Sequence, residues 1–104
     1  MRIVVTTDPD AVTLDEPDEF TSFEVVAPEG TPATALDGIL GAVGRCDGEH
    51  VWVDRGALAD LAGARAADEA WQGGLAAMVD YARSNGFLSD DGAAIRAHVD
   101  WVPG

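Results

Sequence analysis

Hydrophobic and polar positions along the 104-residue chain change period several times, and each change predicts an element. Arg2–Thr7 (RIVVTT) is rich in β-branched residues and alternates, with Ile3 and Val5 on one face and Val4 on the other, the pattern of a strand. Residues 8–19 (DPDAVTLDEPDE) sustain neither a strand nor a helix period, and their six acids and two prolines predict a solvated loop. Phe20–Ala27 (FTSFEVVA) reads as a second strand, antiparallel to the first. In the following PEGTP, Thr31 is placed as a helix N-cap and Pro32 suits the first helical position, where no donor is missed. Leu36, Ile39, Leu40 and Val43 then make one apolar stripe, and Gly44 is the expected stop.

CDGE predicts a turn into a short strand, His50–Asp54, whose Val51 and Val53 point one way and whose His50, Trp52 and Asp54 point the other. Asp54 is also placed to cap a helix over Arg55–Ala62. The longest helix is predicted from Asp68 to Ser84, on the spacing of Trp71, Leu75, Met78, Val79 and Ala82, with Asn85-Gly86 as its stop. After an SDDG turn, Ala94–Val102 alternates again: Ile95, Ala97, Val99 and Trp101 against Arg96, His98 and Asp100. The order β-β-α-β-α-α-β predicts one α+β domain over residues 1–104, a two-layer fold with a four-stranded mixed sheet covered by helices on one face.

Charge narrows the partners. Nineteen acids oppose six bases, all arginine, for a formal charge of −13, and eight of the acids lie in the first 30 residues. Such a surface repels phosphate backbones and anionic headgroups, so neither nucleic acid nor membrane is an expected partner. No apolar run reaches membrane-spanning length, and the basic start of a signal peptide is missing. Cys46 is the only cysteine, which excludes an intramolecular disulfide and makes a reduced, cytoplasmic protein the expectation.

Motifs for chemistry fall short. Read as an EF-hand from Asp8, the acidic loop has acids at Asp10 and Glu19, but Val12 and Thr13 stand where a ligand and a glycine are needed. Cys46 and His50, even with His98, supply too few ligands for a structural zinc site. No serine sits in a G-x-S-x-G elbow, and without lysine there is no P-loop. No pattern therefore predicts a metal, a cofactor or a catalytic group.

The strand parity carries the most information. With Ile3, Val51, Val53, Ile95, Val99 and Trp101 under the helices, the opposite face presents Val4, His50, Trp52, Arg96 and His98. Aromatic and arginine side chains on an open face suit a binding surface. The first reading is a non-catalytic interaction module that uses Trp52, Arg96, His98 and His50 to form a homodimer or to hold a protein partner. The second is a small enzyme or a binder of an anionic ligand, with His98 as general base and Arg96 as anion anchor.

Overall fold

A computed structural model describes residues 1–7 and 9–103. Its strands are β1 (Arg2–Thr7), β2 (Asp10–Asp15), β3 (Glu24–Pro28), β4 (Gly44–Asp47), β5 (His50–Asp54) and β6 (Ala94–Val102). Its helices are α1 (Ala33–Leu40), α2 (Arg55–Ala62) and α3 (Glu69–Asn85), with single 3-10 turns after α1 and α2. The strands form one mixed sheet in the order β2-β1-β3-β6-β5-β4, so the fold is α+β with six strands in place of the predicted four.

Both extra strands are edges that the sequence conceals. In β2, Val12 and Leu14 alternate with Ala11 and Thr13, but this short signal lies among acids and between Pro9 and Pro17. It pairs antiparallel with β1 from Arg2↔Asp15 to Thr7↔Asp10, which removes residues 10–15 from the predicted loop. Asp8, the first position of the rejected calcium loop, lies outside the described residues. The added strand reverses the chain once more, so β3 runs parallel to β1 where the antiparallel sense was expected. At the other edge, β4 and β5 form a hairpin across Gly48-Glu49, with Gly48 at φ 64°. A positive φ at the first loop position is the geometry that two-residue hairpins draw from glycine.

Helix boundaries follow local chemistry. Asp54 caps α2 by accepting from Ala57 N at 2.9 Å, as predicted, and Asp68 caps α3 by accepting from Ala70 N at 2.9 Å. Gly86 ends α3 in the left-handed region at φ 77°. Thr31 does not cap α1: its hydroxyl donates to Pro28 O at 2.8 Å, and Pro32, which has no side-chain acceptor, stands at the N-cap. Gly41, at φ 54°, ends α1 one turn before the expected Gly44.

One hydrophobic core joins the layers. Ile3, Val5, Val25, Val51, Val53, Ile95 and Val99 of the sheet pack with Leu36 and Leu40 of α1, Leu58 of α2, and Trp71, Met78 and Val79 of α3. The sheet curls around these helices far enough for α1 to touch both edge strands, β2 and β4. Along β4, Cys46 N donates to the Asp37 carboxylate of α1. That contact occupies a backbone donor on an open sheet edge, where a second chain would otherwise pair.

The segment between β2 and β3 runs as a strap over α3. Trp71 Nε1 donates to Pro17 O at 2.9 Å, Arg65 pairs with Asp18, and the Phe20 and Trp71 rings pack with centroids 6.3 Å apart. The Met1 ammonium donates to Glu19 O at 2.6 Å and Ser22 O at 2.9 Å, and its burial pushes its pKa below the ordinary value. Phe20 therefore belongs to this strap and not to a strand. Its ring lies where a β-carbon on Gly74 would come within 2.2 Å, so the glycine in the middle of α3 is what admits it.

Candidate functional site

Strand parity and register together set a row of charged and titratable groups across the open face. Successive cross-strand partners are Asp15, Arg2, Glu24, His98, His50 and Asp47, one from each of the six strands. One step along, Arg96 of β6, Trp52 of β5 and Arg45 of β4 are neighbours. The two histidine rings stand edge to face with centroids 6.0 Å apart. Trp52, flanked by the two arginines, has its Nε1 3.4 Å from Asp47 Oδ2, a long contact.

A cavity of about 230 Å³ opens beside this row. It lies where the flank of β6 passes from one neighbour to another: Arg96 N donates to Phe87 O at 2.7 Å, while His98 is the register partner of Glu24. The Ser89–Gly92 turn brings Phe87 there. Ser89 N donates to Ala94 O, and Asp91 accepts from the Ser89 hydroxyl and from Ala93 N. Those two hydrogen bonds hold the Asp91 carboxyl below its usual range. The opposite wall is the strap at Phe20–Phe23, the floor is the buried Met78 and Ala82 of α3, and the exposed Tyr81 of α3 also lines the cavity. Glu19, at the foot of that wall, accepts from the hydroxyl and the N–H of Thr21, which lowers its pKa.

Of the four residues singled out in the sequence, His50, Arg96 and His98 line this cavity together. Trp52 lies outside it and faces a separate shallow groove with Arg45. The sequence reading missed Phe20, Phe23, Phe87, Met78 and Tyr81, which come from three separate segments and share no local period.

Arg96 is the group with unspent capacity. Its guanidinium carbon sits 4.7 Å from the centroid of the Phe87 ring, a cation–π contact worth about 0.5–1 kcal/mol at an exposed site. Among the described residues neither it nor Arg45 has a carboxylate or a side-chain hydrogen-bond partner, whereas Arg2, Arg65 and Arg83 are ion-paired and Arg55 donates to Gly92 O. Of the two, Arg96 alone lines this cavity, and Arg45 lies in the groove beside Trp52. No protein-family model, curated protein or solved structure matches the chain. The site is therefore read from its own residues.

Cys46 stands apart. It is the register partner of Val51 on the core side, whereas His50 pairs with Asp47 on the open face, so the two ligands considered for zinc point to opposite sides of the sheet. Among the described residues, no group of three or more His, Cys, Asp or Glu side chains is placed to hold a metal ion. Burial first, then the Asp37 and Asp47 carboxylates, raise the Cys46 thiol above its usual pKa. Only the thiolate reacts with alkylating agents. Near neutral pH, iodoacetamide is thus expected to modify Cys46 more slowly in the folded protein than in the urea-unfolded chain. Equal rates would place the thiol in open solvent.

Proposed function

We propose that the protein is a non-catalytic binding module that receives a small organic anion in this cavity, anchored by Arg96. The observation that carries the reading is a guanidinium left without a carboxylate at a cavity mouth, in a chain where acids outnumber bases nineteen to six. A planar fork of N–H donors suits a carboxylate or phosphate bidentately. His50 and His98 beside it add donors of adjustable charge.

Binding is favoured over catalysis because neither histidine is hydrogen-bonded to a hydroxyl or thiol among the described residues, and Cys46 faces the other side of the sheet. Binding is also favoured over self-association through the same face. The row across that face from Asp15 to Asp47 is charged or titratable, and the one large hydrophobic side chain that is exposed among the described residues, Tyr81 at 65%, lies on α3 and not on that face. Stable homodimer interfaces are more apolar than the general surface.

An NMR titration with sodium acetate tests the reading. Millimolar acetate is expected to shift the Arg96 side-chain Nε–H and the His98 ring resonances, and in Arg96→Gln the His98 shift is expected to disappear. Resonances that stay put on titration with acetate and with inorganic phosphate would overturn it.

A further inference from the structure

We infer that the anion this cavity takes is a monocarboxylate carried on an aromatic ring; the inference rests on the proposed binding function and specifies its ligand. The chain has three phenylalanines and one tyrosine, and all four line this one cavity. Phe20 and Phe23 come from the strap, Tyr81 from α3, and Phe87 from the segment beside β6. Rings gathered from three parts of the chain around a space left unfilled offer edges and faces to another ring, which prefers offset or edge-on packing.

Volume agrees with this class. A buried apolar cavity of about 150 Å³ accommodates benzene, and the 230 Å³ here leaves room for a carboxylate beyond the ring. Burial is graded in the same way: the lining residues Met78, Ala82 and Ile95 are buried, the phenylalanines are half-buried together with Arg96 and His50, and His98 is exposed. A ligand with its ring inward and its anion outward matches both ends at once.

Charge selects a monoanion. Arg96 is the one guanidinium in the lining, and the two lining histidines are each flanked across the sheet by a carboxylate, His98 by Glu24 and His50 by Asp47. A phosphate dianion would place its second charge against those acids, in a chain that already carries −13. A monocarboxylate satisfies the guanidinium fork and adds no more.

Calorimetry with phenylacetate, acetate, 2-phenylethanol and inorganic phosphate decides the matter on the intact chain. Phenylacetate is expected to bind roughly tenfold or more tightly than acetate, from burial of the ring. It should likewise exceed the neutral 2-phenylethanol, and Arg96→Gln should remove the advantage over 2-phenylethanol while leaving the alcohol's own binding in place. Phosphate or acetate binding as tightly as phenylacetate, in an Arg96-dependent way, would overturn the aromatic class and leave the anion site standing. Phenylethanol binding as tightly as phenylacetate would overturn the carboxylate. Failure of all four ligands to bind would overturn both the class and the function it rests on.

Discussion

Replacing Trp71 with alanine is expected to destabilise the protein by about 3–5 kcal/mol, the usual cost of truncating a buried large aromatic side chain. Trp71 is 3% exposed and packs in the core beneath the sheet. It also does two things at the surface of α3: its Nε1 holds Pro17 O, and its ring supports Phe20. Truncation leaves a cavity, an unpaired carbonyl and a strap without its main anchor. Total stabilities of domains this size run to about 5–15 kcal/mol, so the loss is a large share. Urea unfolding followed by far-UV circular dichroism measures it. A loss under about 1 kcal/mol would mean that the site collapses around the deletion, contrary to the packing described. Because the strap forms one wall of the cavity, the same substitution is expected to weaken ligand binding even under conditions where the variant remains folded.

This coupling explains which parts of the molecule were legible in the sequence. Strands with clear alternation and helices with a full stripe and a cap were read nearly to the residue: β1, β5, β6, α2 and α3. The two edge strands were not. An edge strand has one neighbour and many polar residues, so its alternation is short and its flanks look like loop. β2 sits between acids and prolines, and β4 has four residues, one of them Gly44. Missing β2 also inverted the sense of β3, since each added strand reverses the chain.

The site shows the same division. His50, Arg96 and His98 were legible because parity alone puts them on one face. Trp52 shares that face and the row of Arg96, but it stands on the next strand and lines a separate groove. The aromatic wall was illegible because nothing in the spacing of Phe20, Phe23, Tyr81 and Phe87 says that a strap, a helix and a turn converge. One sign was present: Gly73-Gly74 inside an otherwise regular helix, each less favourable than alanine by about 1 kcal/mol in a helix interior. Gly74 is where the Phe20 ring lies, so a glycine in mid-helix marked the place where another element approaches.

Gly44 makes the sharper test of such close approaches, and Gly44→Ala is expected to destabilise by about 1–3 kcal/mol, the typical cost of overpacking. A β-carbon there would come within 2.8 Å of Trp52 O and 2.8 Å of Val51 Cγ1. The comparison with Gly74 is instructive because its clash is with the outer atoms of a phenyl ring, which can swing away. At Gly44 the obstacle includes a backbone carbonyl of β5, held in the sheet on both sides by β4 and β6. The φ of −176° at Gly44 is ordinary extended backbone, so the cost arises from space and not from conformation. Relief requires β4 to move away from β5, which loosens the edge and the Cys46–Asp37 contact along with it. Hydrogen exchange should therefore show faster exchange at Arg45 and Cys46 in Gly44→Ala, with β1 and β3 little changed. A variant as stable as the parent, with β4 still protected, would show that the two strands can separate at no cost and that the glycine serves the helix end preceding it.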